Sequence, residues 1–290
     1  MNQYNQSSKT IAGIRRGNMF SPNHVGNDAA IFSLTAQHLQ AYGCTVNEYI
    51  ESDLQLQKLD EPVIFNMARD WTSIRKLQQL EDQGRTVINS GYGIENCTRE
   101  RMTRLLLENH IAHPESLIFS TSDDPTEQME KAGISNCWVK RGDFHAVHRE
   151  DVTYVRNREE AASILKEFAI RGIPSAVINE HLTGDLVKFY GVKGTDFFYW
   201  FYPSSHNHSK FGWEVINGTA KGIPFDVGSL QELCNKAADI LNVFIYGGDC
   251  IVSEEKGIQL IDFNDWPSFA PCREEAARYI AECIWKQAKQ

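Results

Sequence analysis

The C-terminal part of the chain carries three oxygen-bearing side chains in a pattern that could bind a metal ion. Its composition predicts two short strands, Asp249–Ser253 and Gly257–Phe263, joined by a tight charged turn. If residues whose numbers sum to 511 face each other in this hairpin, Asp249 lies opposite Asp262. Asn264 then falls two residues further along, on the same face.

Two carboxylates that oppose each other across a sheet repel unless a cation lies between them. Carboxylate and amide oxygens, completed by water and phosphate oxygens, suit Mg²⁺. The hairpin therefore predicts a magnesium site at Asp249, Asp262 and Asn264. The alternative is a surface hairpin whose acidic residues face water, since a register slip of one residue separates the two aspartates.

Two lysines upstream are placed where they could meet a phosphate group. Lys140 ends the apolar strand Cys137–Lys140, and a lysine at the tip of a buried strand can reach an anion. Lys188 lies between the apolar residues Val187 and Phe189, and a half-buried ammonium group needs an anionic partner. Taken singly, Lys140 also fits a solvated strand end.

The stretch between these lysines predicts a strand, a turn and a second strand. The strand Ser175–Asn179 leads into Glu180, His181 and Leu182, whose backbone groups could bond the edge of an adenine ring. Asp185 is spaced to accept hydrogen bonds from ribose hydroxyls. The alternative for the same residues is a mobile acidic turn between two strands.

Alternating strands and helices must position these residues. In the first lobe the predicted strands are 11–14, 45–50, 62–67 and 86–88, and the predicted helices are 28–42 and 71–83. This alternation is typical of a βαβα lobe with a mainly parallel sheet, which binds small molecules at its loops. No Gly-x-Gly-x-x-Gly follows the first strand, so a dinucleotide-binding fold has no support.

A basic helix that begins at Thr98 leads out of this first lobe. The strands predicted after it are 116–119, 137–140, 151–155 and 175–179, with a helix at 159–168. They indicate a small αβ lobe with its own sheet. A third lobe, rich in aromatic residues, continues to the hairpin, and its helix is predicted to begin at a capping box of Ser229 and Glu232.

Composition restricts the class of protein. The chain has 290 residues, 42 % hydrophobic and 23 % charged, which is ordinary for a soluble protein of two or three lobes. The net charge of −9 argues against a general nucleic-acid binder, which needs a basic face. Seven scattered cysteines without a C-x-x-C pair fit reduced thiols. With a polar N-terminus and no apolar run of about 20 residues, we expect a soluble cytoplasmic protein without a membrane partner.

The order of these motifs resembles the ATP-grasp superfamily, which includes glutathione synthetase, D-alanine–D-alanine ligase and ribosomal-protein glutamate ligases. The most specific likeness is Asp262-Phe-Asn-Asp-Trp-Pro-Ser-Phe269, which is similar to the family signature (Glu/Asp)-x-Asn-x-x-Pro-(Gly/Ser)-Phe. The resemblance spans about 89–269. It implies an α/β fold, α+β in the ATP-grasp lobes, with a Rossmann-like pre-ATP-grasp lobe in front. The implied divisions are a pre-ATP-grasp domain 1–95, a linking helix 96–114, a small lobe 115–185 and a C-terminal lobe 186–290.

The resemblance also implies roles for the residues that match the family's motifs, with ATP and Mg²⁺ as cofactors. Asp249, Asp262 and Asn264 would hold Mg²⁺ against the β- and γ-phosphates. Lys140 matches the lysine that contacts the α- and β-phosphates. Arg99 stands where the family usually has a lysine at the start of the linking helix.

The remaining matches lie in the hinge between the two ATP-grasp lobes. Glu180, His181 and Leu182 match the segment that reads adenine, Leu182 through its backbone. Asp185 matches the acid that binds ribose. Lys188 resembles a lysine that meets the γ-phosphate in the inositol phosphate kinase branch, so Lys140 and Lys188 become the predicted catalytic residues.

Two features depart from the family pattern. The loop after Lys140 lacks the usual Gly/Ser-rich lid, and we expect Arg141 or His145 to substitute for its phosphate contacts. The arginine that many of these ligases offer to the acyl phosphate is also not evident. Its candidate replacements are Lys210, Lys221 and Arg273.

The resemblance implies a carboxylate–amine ligase that consumes ATP and forms an amide through an acyl phosphate, acting on small-molecule or peptide substrates. An ATP-grasp kinase that phosphorylates a polyol or an inositol-phosphate-like acceptor is the first alternative. A nucleotide-binding module without turnover is the second, although all three metal ligands are present.

Several polar residues of the first-lobe loops could grip a carboxylate substrate, namely Arg15, Arg16, His24, Asn27 and Arg69. Surface loops have the same composition, so this remains one of two readings. Ser268, just past the metal-ligand strand, is expected near the acceptor. His206 and His208 could form a metal pair, but a polar loop with exposed histidines is the favoured reading.

Overall fold

Three four-stranded sheets follow one another along the chain in the computed structural model, which describes residues 9–20, 25–146, 148–203 and 216–289. The first sheet is parallel and the other two are antiparallel. Each sheet with its helices forms one lobe, here called the first, small and C-terminal lobes. Among the described residues, no helix combines the length and the apolar composition needed to cross a membrane.

The first lobe confirms the predicted βαβα alternation. Its elements are β1 (Thr10–Arg15), α1 (Val25–Ala41), β2 (Thr45–Ile50), β3 (Val63–Asn66), α2 (Trp71–Asp82) and β4 (Thr86–Ile88). The strand order is β2-β1-β3-β4. The start of α2 is fixed by Asp70, whose side chain accepts hydrogen bonds from the backbone N–H groups of Thr72 and Ser73.

Two short helices, α3 (Gly91–Asn96) and α4 (Arg99–Glu108), lead into the small lobe. That lobe contains β5 (Ser116–Ser120), α5 (Thr126–Lys131), β6 (Cys137–Arg141), β7 (Val152–Val155), α6 (Arg158–Ile170) and β8 (Ser175–Glu180). The strand order is β5-β8-β6-β7, and an apolar core lies between this sheet and its helices.

The C-terminal lobe contains the predicted hairpin. Its elements are β9 (Asp185–Val192), β10 (Phe198–Phe201), α7 (Val227–Leu241), β11 (Ile245–Ser253), β12 (Gly257–Asp265) and α8 (Arg273–Gln287), in the strand order β10-β9-β11-β12. The predicted capping box at the start of α7 is wrong. The helix begins two residues earlier, because the Asp226 side chain accepts from the Ser229 N–H at 2.6 Å and caps it instead.

The first and C-terminal lobes share one hydrophobic core. Helix α8 returns across α1, and the rings of Phe65 and Trp266 stack with their centroids 5.9 Å apart. Ile31 and Ile280 are fully buried in the same cluster. The apolar face of the first sheet is completed by residues from the end of the chain. The domain boundary predicted at residue 95 therefore stays a proposal.

The register of the β11–β12 hairpin differs from the expected one over half its length. Near the turn, Ser253 pairs with Gly257 and Cys250 with Leu260, so that the residue numbers sum to 510. Beyond a bulge the sum becomes 511, and Asp249 pairs with Asp262 as predicted. The extra residue that changes the register is Ile261, which has no partner on β11.

Candidate functional site

A cavity of about 310 Å³ lies where the three lobes meet. Its walls come from the antiparallel sheets of the small and C-terminal lobes and from the loops after β1 and β3. The sequence-predicted residues that line it are Arg16, Arg69, Arg99, Lys140, His145, Glu180, Leu182, Lys188, Asp249, Asp262, Asn264 and Ser268. Arg15, Arg141, His181 and Asp185 are not among the lining residues.

Three charged residues form a row across β9, β11 and β12. Strand register places Lys188 opposite Asp249, and Asp249 opposite Asp262. The Lys188 Nζ lies 2.9 and 3.1 Å from the two carboxylate oxygens of Asp249. Arg99, at the start of α4, reaches Asp262 at 3.4 Å. Each carboxylate therefore already has a cationic neighbour, so the row is held at close to zero net charge.

Asn264 extends this row by one step. It lies two residues beyond Asp262, lines the same cavity, and its side chain hydrogen-bonds to Asp262. The donor set of two carboxylates and one amide oxygen fits Mg²⁺, which prefers hard oxygen ligands and leaves positions for phosphate and water.

Lys140 approaches the same row from the small lobe. Its side chain is nearly fully buried, and its Nζ donates a 3.0 Å hydrogen bond to the carbonyl oxygen of Ile261 in the bulge. Burial, reinforced by repulsion from Arg99, lowers the pKa of Lys140 to about 7. For Asp262, burial acts to raise the pKa, but Arg99 and Lys140 outweigh it and hold the pKa below its usual range.

The hinge between the lobes forms the apolar end of the cavity. Trp138 and Leu182 line it, and the Glu180 carboxylate pairs with Lys256 at 2.7 and 2.8 Å. His181 turns away, because its backbone N–H donates to Asn136 and its Nδ1 accepts from the Trp138 indole N–H at 3.1 Å. His181 is not among the lining residues, and its predicted adenine contact stays a prediction.

The Asp185 side chain is likewise engaged within the protein. Its carboxylate is buried, and its two oxygens accept hydrogen bonds from the backbone N–H groups of Lys221 and Ile223, each at 2.7 Å. The carboxylate thus holds this chain segment in place, and its contact with a ribose stays a prediction. The same contact fixes the backbone of Lys221 beside Asp185. Lys221 is not among the residues that line the cavity.

The opposite end of the cavity holds a charged cluster that joins all three lobes. Asp265, at the end of β12, lies with Oδ1 3.2 Å from the Arg69 guanidinium and 3.4 Å from His145 Nε2. Arg69 also donates to the backbone carbonyl of Asp265 at 3.0 Å. Within the described residues its Nε has no hydrogen-bond partner. This cluster of Arg69, Asp265 and His145 is called the junction cluster below.

Arg16 lies beside the junction cluster, and each of its three guanidinium nitrogens has a hydrogen-bond partner. It donates to the backbone carbonyls of Met67 and Trp266 and pairs with Asp28 at 3.0 Å. Both side chains of this ion pair are only 7 % exposed. Arg16 therefore ties the first lobe to the C-terminal lobe, and Asp28, which also lines the cavity, balances its charge.

The segment after β6 reaches from the small lobe to the first lobe. Arg141 forms a two-pronged ion pair with Asp143 and so stiffens the turn instead of lining the cavity. Phe144 then packs against Phe20 and Trp71, with ring centroids 6.1 and 6.0 Å away. His145 follows it into the cavity. This segment, residues 141–146, is called the lid below.

Other predicted substrate residues have partners elsewhere. Arg15 pairs with Glu48 at 2.7 Å on the first lobe, and Arg273 donates to Asn27 at 2.6 Å. His24, His206, His208 and Lys210 lie outside the described residues. Sequence reasoning missed three residues at the end of the cavity that holds the junction cluster, namely Asp28, Phe144 and Asp265. Each of them is next to a predicted residue in the sequence, but that position does not show which way its side chain points.

Comparison with known proteins identifies the architecture. No family model matches the chain, and no curated protein matches it either. Among solved structures it is similar to the D-alanine–D-alanine ligase from Bacillus anthracis complexed with ATP, at 13 % identity and TM-score 0.70, covering 97 % of this chain and 99 % of that one. The RimK domain protein ATP-grasp from Sphaerobacter thermophilus is 14 % identical, with TM-score 0.68 and coverage of 95 % and 99 %. The ATP-grasp ligase PsnB complexed with minimal precursor is 14 % identical, with TM-score 0.63 and coverage of 97 % and 99 %. The chain has the ATP-grasp fold.

Proposed function

We propose that the protein is an ATP-dependent, ADP-forming ligase that joins a carboxylate to an amine through an acyl phosphate. The observation that carries the proposal is the row Lys188–Asp249–Asp262, which faces a cavity of about 310 Å³. Two carboxylates matched by cations from three elements form an arrangement suited to phosphoryl transfer. The shared fold with ATP-grasp ligases supports the same class of reaction.

Each end of the cavity has a role in this proposal. The hinge at Glu180 and Leu182 would bind the adenine, and Arg99, Lys140 and Lys188 would lie against the phosphates. Asp249, Asp262 and Asn264 would hold Mg²⁺, which when bound neutralises charge on the phosphate oxygens. The three cations would stabilise the negative charge that spreads over the transferring phosphoryl group.

The reaction has two balanced steps. An oxygen of the substrate carboxylate attacks the γ-phosphorus, the bond to the bridging oxygen breaks, and ADP leaves. The amine then attacks the acyl carbon, phosphate leaves with its electron pair, and the nitrogen loses a proton. Hydrolysis of the acyl phosphate competes with the second step, so the lid must exclude water while the acyl phosphate exists.

The end of the cavity that holds the junction cluster would bind the acceptor and is called the acceptor end below. Its charge favours a carboxylate over a polyphosphate acceptor. Arg16 is balanced by Asp28 and Arg69 by Asp265, so this end offers little net positive charge. Arg69 lines the cavity, so its guanidinium could still donate to one anionic oxygen. A kinase acting on an inositol phosphate would need several uncompensated cations here, and that alternative is therefore ranked second.

The nucleotide-binding module without turnover is ranked third, because the residues proposed to bind the metal and the phosphates all line one cavity. We further propose a cytoplasmic protein that acts on a small-molecule or peptide carboxylate and an amine, with no nucleic-acid or membrane partner. The acidic net charge and the solved complex of PsnB with a precursor are consistent with this range of substrates.

The first test is magnesium-dependent ATP binding measured by calorimetry on the natural protein and on the double variant Asp262→Ala, Asn264→Ala. We expect micromolar binding that the double variant weakens tenfold or more, about 1.4 kcal/mol. A matched control is Asp239→Ala, which removes an exposed carboxylate on α7. No ATP binding by the folded natural protein would refute the proposal.

The second test separates the enzyme classes. Carboxylate and amine pairs are screened for ADP release, and the product is identified by mass spectrometry. An amide supports the ligase, whereas a phosphate ester that persists with a hydroxyl acceptor supports the kinase. ATP binding without ADP release from any pair would favour the module without turnover.

A further inference from the structure

The bulge in β12 is what places the two aspartates on one face. If the register near the turn continued without a bulge, Asp249 would pair with Ile261 and Asp262 with Gly248. Side chains alternate along a strand, so the two carboxylates would then point to opposite faces of the sheet. The extra residue at Ile261 shifts the register by one and brings Asp262 opposite Asp249.

This bulge is held from outside the hairpin by the segment that follows α4. The Leu260 N–H donates to the carbonyl oxygen of Ala112 at 2.8 Å. The Leu260 carbonyl lies 2.6 Å from Nδ1 of His113. The next carbonyl, that of Ile261, accepts from Lys140 at 3.0 Å. Two successive backbone carbonyls at the bulge are thus each bound by a side chain from another part of the chain.

The hydrogen-bond network defines which nitrogen of His113 carries the proton. One N–H of the Asn179 amide donates to Ser116 Oγ at 2.7 Å, and Ser116 donates its own hydrogen to the Pro114 carbonyl. The other N–H of the Asn179 amide faces His113, with 3.5 Å between Asn179 Nδ2 and His113 Nε2, so Nε2 is the acceptor. His113 Nδ1 must therefore carry the hydrogen that it donates to Leu260. Burial and the nearby Lys140 lower the pKa of His113 to about 3, which keeps the ring neutral.

We propose that His113 is a positioning residue that fixes the bulge and thereby sets the affinity of the Asp249–Asp262–Asn264 site for a divalent cation with ATP. His113 does not line the cavity, so it acts only through the backbone of β12. The inference rests on the proposed function, because it assigns the hairpin to a cation held with ATP. It adds a residue outside the motifs from which the metal site was predicted.

The test compares two substitutions of the same residue. His113→Asn keeps an N–H donor close to the position of Nδ1, whereas His113→Leu removes the donor at similar volume. ATP binding is measured by calorimetry with Mg²⁺ and again in EDTA, and thermal unfolding of both variants is recorded. We expect His113→Leu to weaken Mg²⁺-dependent binding by about tenfold, as for residues that orient metal ligands. Binding in EDTA should be unchanged, and His113→Asn should restore most of the loss.

Two results would overturn the inference. One is an unchanged Mg²⁺ dependence in His113→Leu, and the other is an equal loss of binding with Mg²⁺ and in EDTA, which indicates a general structural effect. If His113→Leu does not fold, His113→Gln replaces it, because its amide reaches the Nε2 position and leaves Leu260 without a donor. Loss in His113→Gln with retention in His113→Asn would then support the inference, and equal behaviour of the two would refute it. Absence of Mg²⁺-dependent ATP binding in the natural protein would instead refute the proposed function.

Discussion

The two ends of the cavity are built in different ways. At the end proposed to bind the metal, called the metal end below, Lys188, Asp249 and Asp262 lie on three neighbouring strands of one sheet, and the strand register brings them together. At the acceptor end, the junction cluster takes Arg69, Asp265 and His145 from three different lobes. The row of the first end therefore lies within one lobe and receives Arg99 and Lys140 from outside it, whereas the second end exists only when all three lobes are packed.

The ends also differ in how tightly their charges are enclosed. The side chains of Lys188 and Asp249 are 16 % and 24 % exposed, so their ion pair can open to admit a phosphate or a cation. Those of Arg69 and Asp265 are 11 % and 1 % exposed. A buried ion pair is costly to break because each charge is then left in a medium of low polarity. We infer that ligands rearrange the metal end and bind to the acceptor end as it stands.

The largest expected effect comes from Asp249→Asn at the metal end. The substitution keeps the size of the side chain but removes one negative charge from the row with Lys188 and Asp262. We expect ADP formation to fall by about 100-fold or more, as when a group that stabilises the transition state is removed. Turnover with the best substrate pair and thermal unfolding are measured together. The matched control is Asp239→Asn, which alters an exposed carboxylate of the same lobe and should leave turnover unchanged.

Because Asp249 is partly exposed, Asp249→Asn should remain about as stable as the natural protein. A variant that unfolds far more easily would show that the row holds the fold together, and the contrast between the two ends would then disappear. Full activity in a folded variant would contradict the proposed role of Asp249 in binding the metal.

A smaller effect is expected from Arg69→Lys at the acceptor end. The charge next to Asp265 is retained, but the planar fork of guanidinium donors is lost. We expect the KM for the carboxylate substrate to rise about tenfold while ATP binding stays within twofold. Steady-state kinetics and ATP calorimetry measure the two quantities. The control is Arg15→Lys, whose guanidinium pairs with Glu48 away from the cavity.

Equal losses in ATP binding and in carboxylate KM would contradict the separation of the two ends. So would a loss in kcat alone, since that would place Arg69 on the transferring phosphate instead of on the acceptor. Thermal unfolding of Arg69→Lys is informative as well, because a buried substitution should lower the midpoint more than Arg15→Lys does.

The same contrast explains what could be predicted from the sequence. The pairing of Asp249 with Asp262 follows from a hairpin, in which both strands and the turn are read directly from the chain. The junction cluster depends on how three lobes pack, and no local pattern encodes the approach of His145 to Asp265. Asp185 shows that a motif does not reveal the partners of a side chain. Its spacing matched an acid that binds ribose, but its oxygens accept hydrogen bonds from the backbone of Lys221 and Ile223.

Even the successful prediction contained an error. The pairing of the aspartates is correct, but the turn is centred half a residue earlier than expected and the bulge at Ile261 restores the register. A bulge leaves no clear mark in the residues of β12, since Ile261 is an ordinary strand former. Its support comes from His113 and Lys140, which are about 150 and 120 residues away in the chain and invisible to a local reading.

The smallest expected effect concerns the lid, which connects the two ends. Phe144 packs between Phe20 and Trp71, and this contact holds His145 beside Asp265. Phe144→Ala should loosen the lid and admit water, while both ends of the cavity keep their charged residues. We therefore expect the ratio of ATP hydrolysis to amide formation to rise about threefold to tenfold, with ATP binding nearly unchanged. ADP and amide are quantified in the same reaction.

The control for the lid is Ile170→Ala, which removes an exposed apolar side chain from the small lobe and should leave the ratio unchanged. An unchanged ratio in Phe144→Ala would mean that water is excluded by other parts of the cavity wall. A fall in both ADP and amide with a constant ratio would mean that Phe144 orders the phosphate-binding residues instead. Only a selective rise in hydrolysis would support a role of the lid in protecting the acyl phosphate. The acyl phosphate must be kept from water until the amine attacks, and this requires that both ends of the cavity be shielded from water at once.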